Sequence, residues 1–414
     1  MRVAALWLSL VLVFTIPWED AFNVVGLGTV TRVIGGLVAT VWLGSAVVAG
    51  RFRKPHPFHI AIFLFVLWNV FSLFWSMGGD WTEQQIKTYV QLAILVWILW
   101  DLYTTPKALR MALEAYILGA YVTIASTILN YLAGQKISTY EERYAASHVN
   151  ANDLALILAL GLPVAWHLAV SAAKGKKTSL FTLLNYAYVP AALFAVILTA
   201  TRTALFAAAP AIFYIVGTAN RLKPFHRVLI LAALVGIFPF TPQSSIERLA
   251  TVGSSLSTGD LGGRGRLWDA SIAVFSKHPF LGVGSGALQA PTLLSRVAHN
   301  TFLSVSTELG LIGLSFFVVI LAIVAYQAAN QPKWLSWLWL SVLTIWVIGA
   351  FTLTWEYRKT TWLFLSLIVI SGSLFRRGDR IKEGSSPFDE PLVLPGAGDP
   401  GKTLKWGPAM RGRG

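Results

Sequence analysis

The sequence contains no cysteine. Disulfides, a thiolate nucleophile and cysteine-based metal sites are therefore excluded. Charge is sparse: 13% of the 414 residues, where soluble domains carry roughly 25%. Acid is scarcer than base, with 19 Asp and Glu against 33 Lys and Arg and a net charge of +14. There is no H-E-x-x-H zinc motif, and the glycine-rich run at 282–286 lacks a Walker lysine. No internal repeat is present, nor the inverted pair of Gly- or Pro-broken spans that marks many transporters. What is abundant is apolar: 55% hydrophobic residues, with 17 Trp and 12 Tyr suited to interfacial belts. These features describe an all-α integral membrane protein.

A span needs about 20 apolar residues. Apolar runs near 1–17, 30–50, 58–76, 86–102, 108–132, 152–172, 182–200, 204–218, 227–241, 299–327, 335–353 and 360–375 predict about 12 transmembrane helices. Residues 3–16 have the look of a signal-peptide core. Pro17-Trp18-Glu19-Asp20 follows in place of a small-x-small cleavage site, so they are expected to be an uncleaved first span. The chain is expected to divide into helices 1–9 over 1–241, an outer loop with an amphipathic helix over 242–298, helices 10–12 over 299–376 and a disordered cytoplasmic tail over 377–414. That tail is rich in Gly, Pro and charge.

Basic residues set the orientation. Arg51, Arg53 and Lys54, then Lys107 and Arg110, Lys174, Lys176 and Lys177, Arg221, Lys223 and Arg227, Lys333, and finally Arg376, Arg377, Arg380 and Lys382 fill six short connections. With twelve spans all six lie on one side, which positive-inside bias makes cytoplasmic, together with both termini. The same placement explains the basic balance without nucleic acid. Arg143, Arg202, Arg264, Arg266, Arg296 and His299 fall on the opposite face, which that bias should deplete, so they need another reason.

Arg202 lies in a short polar break between two apolar runs. Its planar, permanently charged fork suits phosphate; an interfacial arginine reaching to water is the alternative. Arg264 and Arg266 stand among glycines that let a ligand approach the backbone closely. On a helix the two diverge, so Arg266 is preferred and Arg264 is second; attraction to the headgroups of membrane lipids is the alternative. His299 is a candidate general base or a capping residue. Asn300 follows it, and Glu308, nine residues on, is expected on the same side, orienting a polar network or making a helix–helix hydrogen bond. Arg143 and Arg296 are further phosphate contacts, with Arg143 near His148. Asn152 is expected to cap the sixth span, and Gly282–Gly286 to be a turn. Trp355-Glu356-Tyr357-Arg358-Lys359 is expected to be an aromatic belt with a salt bridge. Glu19-Asp20 is a rival centre, since a carboxylate pair suits Mg²⁺ or Mn²⁺, but no second acidic cluster joins it, and no metal or cofactor is expected.

Several of these motifs coincide with one family. Arg264 to Trp268, Lys277-His278-Pro279-Phe280-Leu281-Gly282-Val283-Gly284, Ala298-His299-Asn300-Thr301-Phe302 and Glu308-Leu309-Gly310-Leu311-Ile312-Gly313 resemble the O-antigen ligase family, which includes polymerase-like and protein O-oligosaccharyltransferase-like members. Thr201-Arg202-Thr203-Ala204 and the stretch from Arg143 to Asn152-Asp153-Leu154-Ala155 look like its earlier motifs. The resemblance spans about 140–315. It implies a metal-independent, inverting glycosyltransferase of the bacterial inner membrane with a large periplasmic loop. Such ligases move a glycan from undecaprenyl pyrophosphate to the lipid A-core oligosaccharide. Arg202 and Arg266 would then stabilise the leaving pyrophosphate, and His299 would deprotonate or position the acceptor hydroxyl. A polysaccharide polymerase, whose acceptor is another lipid-linked glycan, fits the same motifs. A lipid-linked sugar transporter would need basic residues along a path to both faces, whereas here they gather at one edge.

Overall fold

The computed structural model describes residues 1–24, 26–50, 52–137, 143–172, 179–221, 224–250 and 264–375. The expected tail at 377–414 lies outside the described residues. Each expected span corresponds to a helix: α1 Arg2–Thr15, α2 Val30–Ala49, α3 Pro57–Phe71, α4 Asp80–Leu102, α5 Pro106–Leu132, α6 Ala151–Ala172, α7 Leu180–Leu198, α8 Arg202–Thr218 and α9 Pro224–Ile237. Two further helices, α10 Gln243–Ala250 and α11 Arg264–Lys277, occupy the expected loop. Then come α12 Thr301–Ala329, α13 Lys333–Ala350 and α14 Lys359–Leu374. Among the described residues, seven helices are long and apolar enough to cross a membrane. α1, α14 and parts of α8 and α9 are shorter apolar helices, and α4 carries Asp80 and Glu83 in its first turn. The protein is an all-α integral membrane protein; a two-residue ribbon pairing Asn23 with Thr29 is a minor addition.

Local chemistry fixes the helix starts. The side chains of Thr29, Thr105, Ser179 and Asn300 each accept a bond from the first turn of the following helix, satisfying donors that the helix leaves over. α6 is the central element. Its candidate span is wholly buried, and it packs against α5, α7, α8 and α13. Gly161 of α6 allows the approach of α7, since a Cβ there would lie 2.1 Å from the Tyr188 hydroxyl. Close backbone approach through small residues is how helices pack where lipid offers no hydrophobic drive.

The Trp residues are distributed differently from a simple belt. Trp339, Trp346, Trp355 and Trp362 are among the largest fully buried side chains. Each indole N–H has an acceptor: Ser371 Oγ at 2.9 Å, Thr361 Oγ1 at 2.9 Å, Asp153 Oδ1 at 2.7 Å and the Glu356 carbonyl at 2.7 Å. The indole fills the core while its one donor is satisfied, which composition alone does not distinguish from an interfacial role.

α12 is broken at Gly310 (φ 67°, ψ −171°). The segment after α11 docks into the break. Leu311 N–H donates to the Pro279 carbonyl at 2.8 Å, and Gly284 N–H to the Glu308 carbonyl at 2.8 Å. A Cβ on Gly310 would lie 2.0 Å from the Phe280 carbonyl oxygen. On its other side the segment meets α3 and the turn after it. Ser285 Oγ donates to Asn69 Oδ1 at 2.7 Å, and Met77 N–H donates to the Val283 carbonyl at 2.9 Å. This double attachment fixes α11 relative to the start of α12.

Candidate functional site

Arg143 ties three helix ends together. Its Nε donates to the Thr199 carbonyl at 2.8 Å, and its Nη2 to Asn152 Oδ1 at 3.1 Å and Thr201 Oγ1 at 3.2 Å. Thr199 and Thr201 flank Ala200, whose φ of +48° lets α7 stop and α8 start at once. Arg202, half-buried, is the first residue of α8. The expected capping role of Asn152 is corrected. Asn150 Oδ1 accepts the Asn152 N–H at 2.8 Å, and Asn152 lies inside α6 with its own carbonyl oxygen turned to Arg143 and Thr201.

α11 brings Arg264 to the same place. Burial and then the Arg143 guanidinium hold its pKa below the ordinary arginine value. Positions two apart on a helix point about 200° apart, and Arg266 is exposed while Arg264 is half-buried. α11 thus turns Arg264, rather than the preferred Arg266, toward Arg143 and His299. His299 stands just before α12 in a left-handed conformation (φ 50°). Burial first, then Arg264 and Arg296, hold its imidazole below the ordinary value, and Asp153 opposes them. Arg264, Arg296 and Asp153 thus act on His299, and Arg143 on Arg264, across four segments. α6, α8, α11 and α12 all begin here. Helix N-termini carry partial positive charge and free N–H groups, so they add to the anion-attracting field.

Two further expectations change. Asn300 Oδ1 accepts the Leu303 N–H at 3.0 Å, so this residue is the N-cap of α12. Glu308 is 5% exposed and its Oε2 accepts the Gly286 N–H at 2.8 Å. His299 lies before the helix, so the phase of α12 does not set the two side chains on a common face. Glu308 is a strut beneath the docked segment, and Gly282–Gly286 forms the turn that it holds.

The residues the sequence reading undervalued are Asp153, Trp355 and Arg358. Asp153 Oδ2 receives Arg358 Nη2 at 2.5 Å and its Oδ1 receives Trp355 Nε1 at 2.7 Å. Arg358 Nη1 continues to Asp20 Oδ2 at 3.0 Å, and Lys359 pairs with Glu19. The expected belt over 355–359 is thus a partly buried ionic clamp. Both carboxylates of the rival Glu19-Asp20 centre are held by cations. Among the described residues, no three or more His, Asp or Glu side chains converge as a metal site would need. Beside Lys359, an apolar cavity of about 300 Å³ runs between α1, α2 and α4, lined by Leu12, Gly35, Gly36, Leu92 and Leu95, with Arg32 also on its wall.

A family model described as O-antigen ligase matches residues 187–318. No curated protein matches the chain. The matched stretch runs from α7 into α12 and includes Arg202, Arg264, Arg266, Arg296, His299 and Glu308; Arg143 and Asp153 lie before it. On these grounds the chain is a multi-pass membrane protein whose residues 187–318 are similar to the O-antigen ligase family.

Proposed function

We propose that the protein is an inverting glycosyltransferase that moves a glycan from undecaprenyl pyrophosphate to the lipid A-core oligosaccharide at the periplasmic face of the inner membrane. The observation that carries this reading is the meeting of Arg143, Arg264 and Arg296 with His299 at four helix N-termini, next to Arg202. Such a place suits a diphosphate. The acceptor hydroxyl oxygen attacks the anomeric carbon, and the bond from that carbon to the pyrophosphate oxygen breaks. The departing electron pair settles on that oxygen, where the arginines stabilise the developing charge. His299, kept neutral by burial and its cationic neighbours, takes the hydroxyl proton. Inversion follows from a single displacement. The cavity between α1, α2 and α4 is apolar enough for the hydrocarbon chain of the carrier. The pairing of Glu19 and Asp20 with Lys359 and Arg358 supports a reaction without a metal at that loop.

The test is transfer in vitro with purified protein, lipid-linked glycan and lipid A-core. Wild type, Arg202→Ala, Arg264→Ala and His299→Ala are compared, each with and without EDTA. Wild-type transfer that survives EDTA and collapses in folded variants supports the reading. Loss with EDTA that Mn²⁺ restores would overturn the mechanism. Product formed equally well without lipid A-core would turn the assignment to a polymerase.

A further inference from the structure

We propose that Arg32 holds a phosphate of the lipid carrier at the mouth of the apolar cavity between α1, α2 and α4, with the carrier's hydrocarbon chain in the cavity. The inference rests on the reading of that cavity as the carrier's path. Its wall is ordered from polar to apolar. On α2, Arg32 in the first turn shares one face with Gly35, Gly36 and Ala39, the i, i+3, i+4 and i+7 positions of a helix. On α4, Thr88 and Gln91 precede Leu92 and Leu95. Farther along both helices Trp42 Nε1 donates to Asp101 Oδ2 at 3.0 Å, so α2 and α4 run in the same direction. Their polar ends therefore coincide, as the head and tail of an amphiphile require.

Packing within the protein does not explain these residues. A Cβ on Gly36 would meet nothing within 4 Å, and one on Gly35 would make an ordinary contact, 3.8 Å from Leu12 Cδ1. Glycine inside a helix is unfavourable relative to alanine, and here no protein atom needs the space it leaves. Arg32 is exposed. Among the described residues the carboxylates nearby are taken by other cations, Asp20 and Asp153 by Arg358 and Glu19 by Lys359, and none pairs with Arg32. The first turn of a helix disfavours a cation. In the proposed orientation this end is also the one that positive-inside bias depletes of arginine. A phosphate accounts for both, and a guanidinium suits it. Gly36 and Ile94 line the cavity and are themselves exposed, so a lipid reaches it sideways from the membrane. The cavity also leads to the arginine cluster. Lys359 is on its wall, the adjoining Arg358 holds Asp153, and Asn152 beside Asp153 accepts from Arg143 at 3.1 Å.

The experiment compares wild type, Arg32→Gln and Arg32→Lys in the full-length protein, with thermal unfolding to check folding. In steady-state transfer Arg32→Gln should raise KM for the lipid-linked donor about tenfold, the lower end for a hydrogen bond to a charged group. The change should fall on KM and not on kcat, because the contact is made equally in the bound donor and in the transition state. It should be the same for long and short polyprenyl chains, since the contact is to phosphate. Arg32→Lys keeps the charge and should recover most of the loss. An unchanged KM in folded Arg32→Gln, or a loss confined to kcat, overturns the inference and leaves the arginine cluster and His299 in place. Binding is then read without transfer, as the shift in thermal midpoint on adding farnesyl diphosphate, inorganic pyrophosphate or phosphatidylglycerol in mixed micelles. Farnesyl diphosphate should raise the midpoint of wild type more than that of Arg32→Gln. An equal rise in both overturns the inference. So does pyrophosphate giving the same Arg32-dependent difference, which would make a plain anion site, or phosphatidylglycerol giving it, which would assign the cavity to a bilayer phospholipid. A wild type that binds farnesyl diphosphate through Arg32 but transfers no glycan would fail the ligase reading and keep the carrier site.

Discussion

At the scale of single residues, the choice between Arg264 and Arg266 decides the site. Both carry the same charge in the same glycine-rich stretch, and only the phase of α11 separates them. Arg264→Ala is expected to lower kcat about 10²- to 10³-fold, as losing one donor to a developing anion does elsewhere. Arg266→Ala should stay within a few-fold of wild type, on the order of what an exposed, solvent-screened charge contributes. Equal losses in a steady-state transfer assay would reject the geometry. His299 yields a second expectation. Its pKa lies below the ordinary histidine value of about 6.5, through burial and the arginines. The acid limb of wild-type kcat/KM should accordingly fall below that pH and vanish in His299→Gln. Which residues are polar at the membrane edge was legible in the sequence. The pairing of Asp153 with Arg358 was not, because 205 positions separate them and nothing local marks either as the partner of the other.

At the scale of elements, hydrophobic runs revealed the helices, since each span must satisfy its own backbone in lipid. The break in α12 was not visible, because Gly310 sits inside the single span that the sequence predicts over 299–327. Its cause is tertiary: the Phe280 carbonyl occupies the space of a side chain. Gly310→Ala is expected to lose stability by roughly 1–3 kcal/mol from the left-handed backbone alone, with more from the contact, read as a lower thermal midpoint. Gly36 is the matching control on α2. A Cβ there meets nothing within 4 Å, so Gly36→Ala should leave the midpoint unchanged. Gly36→Leu extends the same idea to function, because Gly36 lines the apolar cavity. Its transfer rate should fall with a long polyprenyl donor and recover with a donor of two or three isoprene units. A loss independent of chain length would remove the cavity from the carrier's path.

At the scale of the whole molecule, the distribution of base argues for one orientation. Arg53 and Lys54 lie between α2 and α3, Lys107 just inside α5 and Lys333 at the start of α13. Helices that alternate direction bring these to one end of the bundle, and the cluster around His299 to the other. In the proposed orientation the first end is cytoplasmic, because short basic connections resist translocation. The arginines at the other end persist against that bias, which the proposed diphosphate explains and membrane topology does not. The absence of cysteine makes this directly measurable, since a single introduced thiol has no competitor. Arg266 is exposed on α11, on the face away from Arg264, so Arg266→Cys should preserve transfer. In intact cells made permeable only at the outer membrane, a membrane-impermeant maleimide should label Arg266→Cys and spare Lys54→Cys. Labelling of Lys54→Cys alone would invert the protein and place the arginine cluster in the cytoplasm. There a periplasmic acceptor could not reach it, and the ligase reading would fail however well the site bound diphosphate.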